Sequence, residues 1–261
     1  MADIPDALLT QWQDIKVWRK AQRAELIARR EAVAQDERHR WNDAITRHLE
    51  AALTVPVGSI VGFCWPFKGE FDARYAARHW RDRGAASALP EVVAKGEPLQ
   101  FRKWQPGVAM RPGVYDIPVP VDTDVVVPDI ALVPMNGCDE QGYRLGYGGG
   151  YFDRTLAKWR GAMVAIGVSY EVLRLPSIYP QPHDIPMDFI VTEAGMHHAI
   201  AGKLERLDDQ AAAQAIRRLL AARHLPRAAP LDEQAGFSSP TCYASQFPGY
   251  WEGESPDAGK K

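Results

Sequence analysis

The chain has 261 residues, 46% apolar and 25% charged, which is ordinary globular composition with enough apolar material for a core. Its formal net charge of −2 leaves no global field to draw it to nucleic acid or anionic membrane, and no apolar segment approaches the roughly 18 residues that span a bilayer. Cys64, Cys138 and Cys242 are too scattered for a disulfide framework or a zinc site, and MADIPDALLTQWQDIK lacks the pattern of a secretory leader, so a cytoplasmic protein is expected.

Residues 11–53 place apolar side chains at near-helical spacing among many charges, which predicts helix. Pro56 and Gly58 then punctuate the chain, and SIVGFCW (59–65) reads as a buried strand from its β-branched and aromatic content. GEFDARYAARHWRDRG predicts a helix closed by Gly84. AASALPEV and PLQFRKW are strand candidates, the second alternating as a strand near an edge does. VVVPDIALVP (125–134) holds a central strand after Pro128, and FDRTLAKWR predicts the helix beyond the glycines that follow. AMVAIGVSY (162–170) and MDFIVTE (187–193) are the last strands expected. This alternation implies an α/β fold: a three-layer α/β/α arrangement with a mainly parallel, Rossmann-like open sheet and helices on both faces. Residues 1–195 form that domain. Residues 196–261 are expected as a C-terminal extension, helical at first and irregular from Pro226.

RLGYGGGYFDRTL (144–156) sets four glycines, 146, 148, 149 and 150, among aromatics, an arginine and an aspartate. Flexible linkers pair Gly with Ser instead. Glycines at a strand-to-helix junction let backbone N–H groups converge on an anion, and the following helix adds its positive end. No G-x-x-x-x-G-K-[ST] is present, and Tyr151 stands where a dinucleotide fingerprint needs glycine. The glycines alone fit a tight βα turn equally well. Their neighbours favour a phosphate cradle: Arg144 offers a bidentate fork, Tyr147 and Tyr151 offer stacking faces, and Asp153 offers a hard oxygen for Mg²⁺.

The run D-x-x-G-x-R-L-G-x-G-x-G-Y-[YF]-D-R, from Asp139 to Arg154, closely resembles the signature of the 5-formyltetrahydrofolate cyclo-ligase family. R-A-E-L-x-x-R-R from Arg23 is similar to that family's N-terminal basic helix, and HDIPMDFIVTE (183–193) to its closing strand. The resemblance spans roughly residues 15–195 and leaves the tail outside.

The resemblance implies an enzyme that uses ATP and Mg²⁺ to convert 5-formyltetrahydrofolate to 5,10-methenyltetrahydrofolate. The route it implies is phosphorylation of the formyl oxygen, then attack by N10. Such chemistry asks for positioning and charge neutralisation rather than a protein nucleophile. Carried onto this chain, ATP falls to Arg19, Arg23 and the run Arg144, Leu145, Gly146, Tyr147, Gly148, Gly149, Gly150, Tyr151 and Phe152. The folate falls to Trp65, Glu70, Tyr147, Gly148, Gly149, Gly150 and Tyr151. Arg144 and Tyr151 take the catalytic roles, and Asp153 and Asp184 the metal. The expected partner is the small-molecule substrate alone, with no nucleic acid and no membrane, on a monomer.

Read without the family, Arg19 and Arg23 fit a solvated helix face, Glu70 the opening of a helix, and Trp65 the core. Cys64 and Cys138 read as small buried apolar residues, and neither Lys68 nor His183 receives a catalytic role. Glu171 stands where the family pattern implies Gln, which would set a carboxylate beside the site. With the tail, that departure leaves an alternative: a divergent paralogue that binds folate and nucleotide and docks a partner through its C-terminus.

Overall fold

Two helices, α1 (Trp12–Glu31) and α2 (Gln35–Ala52), occupy the span expected to be helical. The chain turns between them at residues 32–34, where Ala34 takes ψ 143°. No Gly or Pro marks the turn. Packing sets it: α2 folds back to lie against α3 (Arg74–Arg81) and α5 (Asp209–Ala222), while α1 carries Arg19, Arg23 and Arg30 on its buried side. The computed structural model describes residues 11–223.

The remaining elements are the strands β1 (Ile60–Gly62), β2 (Ala86–Glu91), β3 (Gln100–Trp104), β4 (Met110–Pro112), β5 (Pro118–Pro120), β6 (Val125–Val126), β7 (Ile130–Pro134), β8 (Gly137–Asp139) and β9 (Arg144–Leu145), then helix α4 (Tyr151–Lys158), then β10 (Val164–Val168), β11 (Arg174–Leu175), β12 (Phe189–Thr192), β13 (Gly195–Ile200) and β14 (Lys203–Leu207). Nine strands form one sheet in the order β14-β13-β12-β10-β7-β1-β2-β3-β6. Its centre, from β12 to β2, is parallel; antiparallel strands extend both edges. β8, β9 and β11 make a second small sheet, and β4 pairs β5 in a ribbon.

Alternation along the central strands divides the core into two layers. Ile130, Leu132, Val164, Ile166, Phe189 and Val191 pack with side chains of α2, α3 and α5. Their neighbours Ala131, Val133, Ala165 and Ile190 pack on the other face with Leu156 of α4. The sheet is therefore covered by helices on both faces, as the alternation of elements predicted. Ile130 and Phe189 are fully buried, so truncating either to alanine should cost about 2–5 kcal/mol.

The boundary expected at residue 195 falls inside the sheet. HHAI and KLERL, expected as helix from their Ala and charge content, belong to β13 and β14, and helix in this extension is confined to Asp209–Ala222. A two-residue turn explains the hairpin: Ala201 (φ 49°) and Gly202 (φ 75°) are both left-handed, the twist that joins antiparallel strands tightly. Residues 226–261, expected to be irregular, lie outside the described residues. No described helix is long and apolar enough to cross a membrane.

Candidate active site

Parallel sheets place ligands beyond the carboxyl ends of their strands, and a cavity of about 490 Å³ lies there. Cys64 and Trp65 enter it from beyond β1, Pro90 and Val92 from the end of β2, and Pro134 from β7. One wall is the glycine loop between β9 and α4. Another is α1, which contributes Trp12, Lys16, Arg19 and Arg23 at helical spacing. The β4–β5 ribbon closes a third side with Val114, Ile117 and Val119. Every residue assigned to ATP, folate or metal by the resemblance lines this one cavity: Arg19, Arg23, Trp65, Glu70, the run 144–152, Asp153 and Asp184.

The loop has the glycine conformations and open amides that an anion cradle needs. Gly148 takes φ 92° and Gly150, just before α4, takes φ 62°, conformations that favour glycine. Two loop carbonyls are tied back by arginines: Gly146 O accepts from Arg23 Nε at 2.8 Å and Gly149 O from Arg154 Nη2 at 2.7 Å. Among the described residues, no hydrogen bond is donated by the backbone N–H of Gly146, Gly148 or Gly149. The helix α4 begins at Tyr151, so its positive end adds to that field. The start of the motif is structural. Asp139 is fully buried and accepts from the N–H groups of Gln141, Tyr143 and Ile178, which fixes the β8–β9 turn.

Arg19 and Arg23 are buried rather than solvated. Arg19 donates to Ile178 O and Tyr179 O, both at 2.9 Å, and grips Asp184 through both Nη atoms, at 2.5 and 3.3 Å. Asp184 Oδ2 also accepts from Gln181 N–H. Both oxygens of Asp184 are thus committed to the protein. Asp153 differs. Its Oδ1 receives Arg144 Nη2 at 2.7 Å and Ile185 N–H at 3.1 Å, while Oδ2 enters none of the contacts among the described residues. No group of three or more His, Cys, Asp or Glu side chains gathers as a metal site among the described residues. One carboxylate oxygen beside an anion cradle still fits Mg²⁺, which commonly takes one or two carboxylates and completes its shell with phosphate and water.

Beside Tyr147 of the loop Glu70 is buried, and it precedes α3 by several residues rather than opening it. Its Oε1 accepts from the Tyr147 hydroxyl at 2.6 Å and its Oε2 from Phe67 N–H at 3.0 Å. Burial pushes its carboxyl up, while Arg30, Tyr147 and the Phe67 N–H draw it back only in part. Burial likewise raises the Tyr147 phenol, aided by the adjacent Glu70 charge. Trp65 packs edge-on against Trp104, with the Arg74 guanidinium 4.8 Å from its ring. Tyr151 carries the Arg154 guanidinium 5.1 Å from its ring.

Two expectations are corrected. Glu171 is not beside the site: Arg174 binds it at 2.5 and 2.9 Å, Thr192 donates to it at 2.9 Å, and it does not line the cavity. Cys64 is only half-buried and lines the cavity, its thiol pushed up by burial and then by Glu70, whereas Cys138 is fully buried as expected. Trp12, Lys16 and the ribbon went unread because no motif marks them. Arg30 went unread although it shares the face of Arg19 and Arg23, at i+11 and i+7.

The family profile described as the 5-formyltetrahydrofolate cyclo-ligase family matches residues 15–193. The chain belongs to that family. Among curated relatives, the 5-formyltetrahydrofolate cyclo-ligase of Mycolicibacterium smegmatis is 36% identical over 120 residues, 42% of this chain and 60% of the relative. That of Haemophilus influenzae is 23% identical over 158 residues, 58% of this chain and 84% of the relative. Among solved structures, the 5,10-methenyltetrahydrofolate synthetase of Aquifex aeolicus aligns with a TM-score of 0.59 at 24% identity, covering 73% of this chain and 96% of that one. At that identity the alignment speaks for the fold. The family match ends at residue 193, so β13, β14 and α5 lie beyond the matched segment.

Proposed function

We propose that this cyclo-ligase family member is a cytoplasmic, ATP- and Mg²⁺-dependent enzyme that closes 5-formyltetrahydrofolate to 5,10-methenyltetrahydrofolate. The observation that carries this reading is the single cavity into which the cradle, Asp153 and Glu70 all project.

The formyl oxygen attacks the γ-phosphorus of ATP, the bond to the β-phosphate oxygen breaks, and ADP departs. The N10 lone pair then attacks the activated formyl carbon, N10 loses its proton to solvent, and phosphate leaves with the C–O bonding pair. The cradle amides from Gly146 to Gly149 and Arg144 hold the phosphates in line and meet the developing charge. Arg23, bonded to Gly146 O, keeps the cradle in shape beside them. Mg²⁺, when bound at Asp153, neutralises phosphate charge. Glu70 accepts N–H groups of the pterin ring, Trp65 supplies an apolar contact, and Tyr151 packs against the ring system. The aliphatic ribbon residues Val114, Ile117 and Val119 exclude water from the same end.

The test is the near-ultraviolet absorbance of the methenyl product, followed with and without ATP. Product formed in equal amount with ADP is the expected result. Folate binding without turnover would instead point to the divergent paralogue.

A further inference from the structure

Arg30 is about 1% exposed and does not line the cavity, yet three cavity-forming segments meet on it. Its Nε donates to Lys68 O at 2.8 Å, its Nη1 to Met135 O at 3.3 Å, and its Nη2 to the Tyr147 hydroxyl at 2.9 Å. Nη2 also lies 3.8 Å from Glu70 Oε1. We propose that Arg30 is the positioning residue of the folate end, fixing both the charge of Glu70 and the direction in which Tyr147 donates. The inference rests on Glu70 as the folate contact.

Proton direction follows from the donor inventory. A guanidinium only donates, so the Tyr147 oxygen accepts from Arg30 and its one proton goes to Glu70 Oε1. The relay therefore runs one way, from Arg30 through Tyr147 to Glu70. Each carboxylate oxygen then has one protein donor and keeps lone-pair capacity for a ring edge with two parallel N–H groups.

Charge follows from burial. Glu70 is faced by Arg30 from α1, Tyr147 from the glycine loop, Cys64 from beyond β1 and Tyr170 from beyond β10, with Arg38 of α2 beside Gly69. Of the two cations, Arg30 is the one whose charge draws the Glu70 carboxyl down. An isolated buried carboxylate takes up a proton rather than stay charged. The backbone bonds matter as well. Lys68 holds a left-handed φ of 48° and Gly69 one of 74°, and the Arg30 bond to Lys68 O fixes that bend, which leads directly into Glu70.

Five proteins test the inference: wild type, Arg30→Met, Arg30→Lys, Glu70→Gln and Arg30→Met/Glu70→Gln. Affinity for 5-formyltetrahydrofolate and for ATP is measured by calorimetry from about pH 6 to about pH 8.5, together with the unfolding temperature. Arg30→Met is expected to lose folate affinity on the order of tenfold near neutral pH, with ATP affinity changed by less than about twofold. Its folate affinity should recover as pH rises, because loss of the cation moves the buried Glu70 carboxyl further up and a higher pH restores its charge. Arg30→Lys should restore the flat wild-type pH profile with only part of the affinity, since an ammonium cannot reproduce the fork. A folded Arg30→Met that binds folate like wild type, or that loses both ligands alike, overturns the inference. So does an unchanged pH profile. Where Arg30→Met does not fold, the double variant decides: folding supports the pairing with Glu70, and failure to fold overturns it. If wild type binds no 5-formyltetrahydrofolate, the proposed function falls on its own. Arg30 is then judged by unfolding temperature, where adding Glu70→Gln to Arg30→Met must recover stability or the inference is lost.

Discussion

Arg19 and Asp184 close a two-point ion pair between the first helix and the loop before β12, with both side chains buried. Asp184 Oδ2 accepts from Gln181 N–H as well, and Arg19 spends two further N–H groups on the carbonyls of Ile178 and Tyr179. Asp184 is therefore expected to serve α1 ahead of the metal. Asp184→Asn is expected to destabilise the protein on the order of 3 kcal/mol, because Arg19 is left buried with a weakened partner. It should leave the magnesium midpoint of activity within about twofold of wild type. Chemical denaturation and a magnesium titration check both parts, and a large midpoint shift would return Asp184 to the metal.

Asp153 should behave in the opposite way. It directs one oxygen toward Arg144 and Ile185 and keeps the other unengaged at the cradle. Asp153→Asn is expected to raise the magnesium midpoint by about tenfold or more while folate affinity holds within about twofold. A variant that turns over like wild type across the titration would remove Asp153 from the metal shell.

Neighbouring glycines of the cradle should respond differently to the same change. Gly148 sits at φ 92°, and a Cβ there would lie 3.2 Å from the Arg23 guanidinium carbon. Gly148→Ala is expected to cost about 1–3 kcal/mol and to weaken ATP binding. A Cβ on Gly146 meets nothing within 4 Å, so Gly146→Ala should melt like wild type. Thermal unfolding of the two variants separates them, and equal losses would refute the geometry.

Acid should loosen the sheet around β13. His197 is held below the ordinary imidazole range by burial and then by the charge of Arg174, and His198 by burial. Because the folded state binds these protons later than the unfolded chain, stability falls as pH drops below about 6.5 and levels off once the lowered folded values are passed. The unfolding temperature should therefore decline from about pH 7 to about pH 5, and less steeply in His197→Gln. An identical decline in that variant would clear His197 of the effect.

The segment beyond α5 should be dispensable for turnover. Arg223 bonds Asp129 at 2.5 Å just ahead of β7, at the end of the strand opposite the cavity. Removing residues 226–261 is expected to keep ATP-dependent methenyl formation within about twofold and to lower the melting temperature by a few degrees at most. A truncated protein that folds by circular dichroism yet makes no product would show that the segment reaches the cavity.

The residues that gather in the candidate site with distinctive chemistry are readable from the chain, and those placed by distant partners are not. Glycines beside Arg144 and Asp153 announce a cradle because few other structures use that mixture. Arg30 looked like one more charge on a solvated helix, as its neighbour Arg29 is, since its partners lie 38 to 117 residues away. The β4–β5 ribbon was missed because Pro112, Pro118 and Pro120 argue locally against strand, and a ribbon beside the main sheet tolerates them. Glu171 looked misplaced only until Arg174, three residues on, proved to neutralise it.

One helix ties together several walls of the cavity. Arg19 holds Asp184, Arg23 the Gly146 carbonyl and Arg30 the Tyr147 hydroxyl, and the eleven residues from Arg19 to Arg30 rise by about 16 Å. The helix thus acts as a ruler whose graduations are guanidinium groups. Its register is constrained more tightly than its composition: one residue inserted between Arg23 and Arg30 would swing the last mark by about 100° and point it away from Tyr147.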